Sequence, residues 1–229
     1  MSIRRLLSAS LPAGLSRRDF LAAGSALAAW PLLTQSTYGL VRRKVAFADY
    51  PFQLGVASGD PAPDGMVLWT RLAPKPLEGG GVTEDALEVA WEVAHDEAMS
   101  KVVQKGTLVT TAADAHSVHV EVTGLEPNRW YFYRFHVAGE TSPVGRTRTS
   151  PAADVTPDRL KFAFASCQHW ETGYYPTYEA MAKEGLDLVV HLGDYIYEGI
   201  GTDGKPRKHH GNEIVSLEDY RARHAQYKT

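Results

Sequence analysis

Apolar and polar residues alternate along the first half of the chain. Beyond about residue 150 the alternation gives way to longer apolar runs. Met66-Val67-Leu68-Trp69-Thr70-Arg71-Leu72 reads as a strand, and Leu87-Glu88-Val89-Ala90-Trp91-Glu92-Val93 keeps the two-residue period more strictly. Val118-His119-Val120-Glu121-Val122 repeats it, and so does the stretch from Trp130 to Val137. Before these, Phe52-Gln53-Leu54-Gly55-Val56-Ala57-Ser58-Gly59-Asp60 runs into the turn Pro61-Ala62-Pro63-Asp64-Gly65. Short strands at regular spacing, with no helical period among them, predict a β-sandwich over residues 50–150. Trp69, Trp91 and Tyr131 are expected in its core, because aromatics alternating along strands pack the inner face.

Ser150-Pro151-Ala152-Ala153-Asp154-Val155-Thr156-Pro157-Asp158 is a linker by composition. After it, residues 160–165 form a nearly continuous apolar run, the pattern of a strand covered on both faces. Residues 174–184 carry Tyr175, Tyr178, Met181 and Ala182 on one helical face, with Pro176 in the first turn and Gly185 at the C-terminal position. Residues 186–192 are a second buried strand. The order is βαβ, which predicts two parallel strands. In open sheets of this kind, functional residues lie just beyond the carboxyl ends of the strands. Here those ends carry Cys167 and, across Gly193, Asp194 with Tyr197 close behind. A thiolate, a carboxylate and a phenolate at one edge suit a hard, highly charged cation, which would keep the thiol and the phenol deprotonated. Taken singly, each has a plainer role: Cys167 as a small core residue, Asp194 as a turn cap, Tyr197 as packing. Together at the ends of one βαβ unit they point to a site.

The chain has 229 residues and a formal net charge of −3, which gives no reason to expect a nucleic-acid partner. It has a single cysteine, so no intramolecular disulfide is possible. The N-terminus places Arg4, Arg5, Arg17 and Arg18 ahead of a short apolar run from Phe20 to Ala29, too short for a stable membrane span. Ser16-Arg17-Arg18-Asp19-Phe20-Leu21 matches the twin-arginine export signal. Residues 1–45 therefore read as a signal peptide and linker. The twin-arginine machinery is the expected partner, and the folded protein is expected to be secreted or periplasmic.

Two resemblances sharpen this reading. The Leu125, Pro127, Tyr131 spacing resembles the tyrosine corner of fibronectin type III-like domains. Phe162-Ala163-Phe164-Ala165-Ser166-Cys167, followed by His191-Leu192-Gly193-Asp194-Tyr195-Ile196-Tyr197-Glu198, resembles the alkaline phosphatase D (PhoD) family of the metallophosphoesterases. Leu54-Gly55-Val56-Ala57-Ser58-Gly59-Asp60-Pro61 with Val67-Leu68-Trp69-Thr70-Arg71 resembles that family's N-terminal β-domain, and the tail from Leu217 to Lys228 also matches. The resemblance implies a PhoD-type β-domain over 50–150 and the start of the metallophosphatase domain over 158–229. It implies Fe3+ held by Cys167 and Tyr197, with Asp194 bridging to Ca2+. It also implies hydrolysis of phosphate mono- and diesters by metal-activated water.

Further asparagine, aspartate and histidine ligands that the family uses have no counterpart before Thr229. The chain is therefore expected to be the N-terminal part of a longer enzyme. His209-His210-Gly211 lies in a Gly/Lys-rich stretch, residues 201–212, which reads as a solvated or substrate-side loop. Ser216 reads as the N-cap of a last helix. Two other readings remain at this point. One is a secreted β-sandwich binding module with an inactive phosphatase edge. The other is a Cys167 nucleophile with His169 as its base.

Overall fold

The computed structural model describes residues 45–229; the signal-peptide segment with Arg17 and Arg18 lies outside them. The alternating segments form two antiparallel sheets. The first is β1 (Val56–Ala62), β2 (Gly65–Arg71) and β5 (Ser117–Val122), in the order β1-β2-β5. The second runs β4 (Val102–Thr111), β3 (Ala86–Ala94), β6 (Trp130–Val137), β7 (Glu140–Thr141), and β8 (Gly145–Arg148) also pairs with β6. Their inward residues form one core, with Leu68, Val89, Val93, Val118, Val122, Tyr131, Tyr133 and Phe135 almost fully buried. The tyrosine corner is present: the Tyr131 hydroxyl accepts the Glu126 N–H at 2.9 Å.

The two tryptophans differ from expectation. Trp91 points inward but is only partly buried, lying over its cross-strand partner Gly106, where a Cβ would stand 2.8 Å from the ring. Trp69 is half-buried on the outer face of its sheet, against Leu54, Ala73 and Ala225. Its alternation was sound, but that face is also covered, so parity alone did not distinguish the two sides.

The cover is the second half of the chain. β9 (Phe162–Ala165) and β10 (Leu188–His191) pair in parallel, joined through α1 (Pro176–Lys183). Pro176 opens α1 and Gly185, at φ +60°, follows its end. A last helix, α2 (Leu217–Gln226), starts with a capping box. Ser216 Oγ accepts the Asp219 N–H, and the Asp219 carboxylate accepts the Ser216 N–H. Arg71 joins α2 to the sandwich, donating to the carbonyls of Arg221 and Ala115 at 3.0 Å each. Arg148 pairs with Asp187, just ahead of β10, and Asp187 also accepts the Lys161 N–H at 2.9 Å. The apolar pattern predicts cover on both faces, but among the described residues one face of the pair is bare. Phe162, Phe164, Leu188, Val190 and Leu192 share one face and are 37–64 % exposed. Among the described residues these two strands have no third partner, and that face has no helix upon it.

His116 marks a strained turn between β4 and β5. Ala115 and His116 have φ of +51° and +53°, and His116 is 5 % exposed with neither ring nitrogen hydrogen-bonded. Burial, helped by Arg71, holds its pKa below the usual 6.5; burial does the same to His209 and His224. The unfolded chain thus binds more protons once pH falls below about 6.5. Stability is full above that pH and declines as pH falls toward the folded-state values. His116→Asn removes one of these groups and suits a positive φ. Its urea midpoint is expected to fall less between pH 7.5 and 5.5 than that of the wild type. An unchanged decline would show that His116 is not a source of the pH dependence.

Candidate metal centre

The site begins with strand register. Phe162 to Ala165 pair in order with Leu188 to His191, and the ladder continues past both strand ends. Leu192 N donates to Ala165 O at 2.8 Å, Cys167 N to Gly193 O at 3.1 Å and Gln168 N to Asp194 O at 3.2 Å. Cys167 and Asp194 are therefore fixed by backbone bonds at one edge. Both turn there in the left-handed region, at φ +54° and +53°, and Gly193 lies at +123°. A Cβ on Gly193 would meet nothing within 4 Å, so glycine is needed there for its backbone angle rather than for space. Positive φ at Cys167 is uncommon for a residue other than glycine, asparagine or aspartate, and such angles cluster at functional sites.

The three donors predicted from sequence meet on one carboxylate oxygen. Cys167 Sγ lies 3.4 Å from Asp194 Oδ2, and the Tyr197 hydroxyl donates to that same oxygen at 3.1 Å. Cys167 and Asp194 are exposed and Tyr197 is half-buried, so the group is open to solvent. Burial, then the neighbouring Asp194 and Cys167, push the Tyr197 phenol well above its usual range. Without a cation the phenol stays protonated. A cation bound here would replace the hydrogens that now link the three side chains, and three anionic donors suit a trivalent charge. The donor set thus fits a hard, highly charged metal ion. The thiol's hydrogen-bond partner is Asp194, and His169 Nδ1 accepts the Glu171 N–H, an arrangement that favours a ligand over a Cys167–His169 nucleophile–base pair.

A second cluster lies behind the first. The His169 ring is 4.6 Å from the Tyr197 ring, centroid to centroid, and ligand atoms of His169, Glu171 and His209 fall within 4.8 Å of one another. Sequence reasoning did not single out Glu171. Its only signal was an acidic residue in a stretch crowded with aromatics. Most of the donor atoms here are already engaged. His169 Nδ1 accepts the Glu171 N–H at 3.2 Å, and Glu171 Oε1 accepts the N–H of Thr202 at 2.6 Å and of His209 at 3.2 Å. His209 Nδ1 faces the Gly199 carbonyl and so carries its proton; Nε2 then accepts from the Tyr227 hydroxyl at 3.0 Å. Burial raises the Glu171 pKa, but the Thr202 and His209 N–H groups outweigh it and the net shift is downward. We read this cluster as an anchor for the loop. The expectation that His209 is solvated is corrected here: it is 3 % exposed, although most of residues 201–212 are at the surface. Glycine and lysine set the composition of that loop, and they masked one inward side chain.

Comparison with known proteins agrees with this architecture. The family model described as "PhoD-like phosphatase, N-terminal domain" matches residues 39–151, and "PhoD-like phosphatase" matches residues 162–229. Alkaline phosphatase D of Bacillus subtilis (strain 168) is 56 % identical over 188 residues, 80 % of this chain and 32 % of that protein. A solved structure titled "Structure of PhoD" aligns with a TM-score of 0.77 at 56 % identity, covering 80 % of this chain and 36 % of that one. This chain therefore spans about a third of the length of the relative it matches. Among the described residues, no helix is long and apolar enough to cross a membrane.

Glu171 gives the anchor a direct test. Glu171→Gln keeps the shape but removes the charge that strengthens the bonds from Thr202 and His209. A loss of about 1–2 kcal/mol in stability is expected, with faster hydrogen exchange at those two amides. Unchanged exchange at both would show that the carboxylate does not hold the loop.

Proposed function

The chain belongs to the PhoD-like phosphatase family, and from that premise we propose that it serves an exported, metal-dependent phosphoric ester hydrolase. The observation that carries this reading is the convergence of Cys167, Asp194 and Tyr197 on a single oxygen at the end of the parallel strands. In this reading Cys167, Asp194 and Tyr197 would hold Fe3+, with Asp194 also available to a neighbouring Ca2+. Bound there, the metal pair would neutralise phosphate oxygens and lower the pKa of an attacking water.

The protein's own contribution is placement. The backbone ladder sets the distance between Cys167 and Asp194, and the exposed donors leave room for a phosphate ester to approach. Asp194 Oδ2 accepts hydrogen bonds from the thiol and the phenol, and a metal held here would displace both protons. Three protein donors leave most of two coordination shells to other ligands. The convergent donors favour this catalytic reading over a binding module with a spent phosphatase edge. Export by the twin-arginine route rests on Ser16-Arg17-Arg18-Asp19-Phe20-Leu21 alone.

In the full-length protein, Asp194→Asn is expected to lower hydrolysis of bis(p-nitrophenyl) phosphate at least about 100-fold, the upper end for losing a mere supporting contact at a metal site. Metal analysis should show both ions reduced. For Cys167→Ser, iron and activity should fall together; activity lost with iron retained would instead identify a nucleophile. Full activity in Asp194→Asn would defeat the proposal. Separately, changing Arg17 and Arg18 together to Lys is expected to leave the protein in the cytoplasm, and unimpaired export would exclude the twin-arginine route.

A further inference from the structure

Tyr197 lies in a stretch, residues 195–200, that belongs to no helix or strand. Something other than a backbone ladder must hold its carbonyl groups. Arg223, on α2, supplies the bonds. Arg223 is 2 % exposed, and all its hydrogen bonds go to backbone carbonyls. One nitrogen donates to Tyr197 O and to Gly199 O at 3.1 Å; the other donates to His210 O at 3.4 Å and Asn212 O at 3.3 Å. A planar fork of donors can pin several carbonyls in fixed directions, which a lysine ammonium does poorly.

The clamp has a firm base. α2 begins in a capping box and packs Ala225 against Leu54, Ala73 and Trp69. One turn earlier, Arg221 accepts from the buried Arg71 of β2. Glu171 grips the same loop from the opposite chemical side, accepting N–H groups where Arg223 donates to carbonyls. A buried cation and a buried anion thus divide the loop backbone between them, and Tyr197 stands where this strap meets the strand end.

We propose that Arg223 is a positioning residue: by fixing the carbonyls of Tyr197 and Gly199 to α2, it holds the Tyr197 phenol over Asp194 ready for metal. The proposal rests on the reading of Tyr197 as a metal ligand, and it assigns no contact between Arg223 and substrate or metal.

The test replaces Tyr197 by 3-fluorotyrosine in the full-length protein and follows its fluorine NMR line, first metal-free and then during titration with gallium(III) nitrilotriacetate. Gallium is a trivalent stand-in that does not oxidise the Cys167 thiol. In the wild-type background the line should be single, displaced from that of free fluorotyrosine, and should move on addition of gallium. Arg223→Lys and Arg223→Gln should bring the metal-free line toward the free position and weaken gallium binding about 10- to 100-fold, the usual effect of losing a group that orients a ligand. Hydrogen exchange in β3 and β6 should stay unchanged, which reports an intact sandwich; Arg223→Lys keeps the buried charge and is the variant to rely on if Arg223→Gln unfolds. An Arg223→Lys protein whose metal-free line and gallium affinity both equal the wild type would overturn the proposal. A wild-type line indifferent to gallium, but displaced in the Arg223 variants, would defeat the ligand reading while leaving the clamp established.

Discussion

Everything at the candidate centre depends on the parallel register of β9 and β10. The ladder pairs Ala165 with His191 and then runs three residues past the strands, through Cys167 N to Gly193 O and Gln168 N to Asp194 O. A slip of one residue would turn every side chain to the other face and separate the thiol from the carboxylate. The left-handed turns at Cys167, Gly193 and Asp194 complete the arrangement. They end both strands at the same height and swing two donors outward, against a local preference that only glycine and, to a lesser degree, aspartate escape.

The third donor needs a different solution, because Tyr197 lies beyond the ladder. The chain meets that need with buried charge. Glu171 and Arg223 are 3 % and 2 % exposed, and each satisfies itself on the loop backbone. Burying such groups is costly unless their hydrogen bonds are filled. Here the filling is what shapes the loop. The same helix that carries Arg223 packs on Trp69, so the β-sandwich is the fixed ground from which the Tyr197 strap is held.

The parts legible in the sequence were those whose signal is local. The period of β2, β3, β5 and β6, the tyrosine corner, Pro176 and Gly185 around α1, and the Ser216 cap each depend on a few adjacent residues. Cys167, Asp194 and Tyr197 were legible for a related reason: a βαβ unit places its strand ends together whatever surrounds it. β4 escaped because its Gln104-Lys105-Gly106 centre breaks the alternation at a sheet edge, and β7 and β8 because two and four residues are too short to carry a period. Trp69, Glu171, His209 and Arg223 were misread or passed over for the opposite reason. Each is defined by a partner far along the chain, and no window of sequence contains both.

The apolar run of β9 shows how far such a pattern reaches. Phe162, Phe164, Leu188, Val190 and Leu192 carry the composition of a doubly covered strand, yet they lie 37–64 % exposed. Composition records what a strand is built to touch, whereas exposure records what touches it among the described residues. Exposed apolar surface is unfavourable by about 25 cal/mol per Å2, and a contiguous patch is unusual on a soluble protein unless it meets something. Leu192 joins that face directly to Gly193 and Asp194, so the patch runs to the rim of the donor set. The bare face and the exposed Cys167 and Asp194 thus form one continuous open edge at the end of the parallel pair.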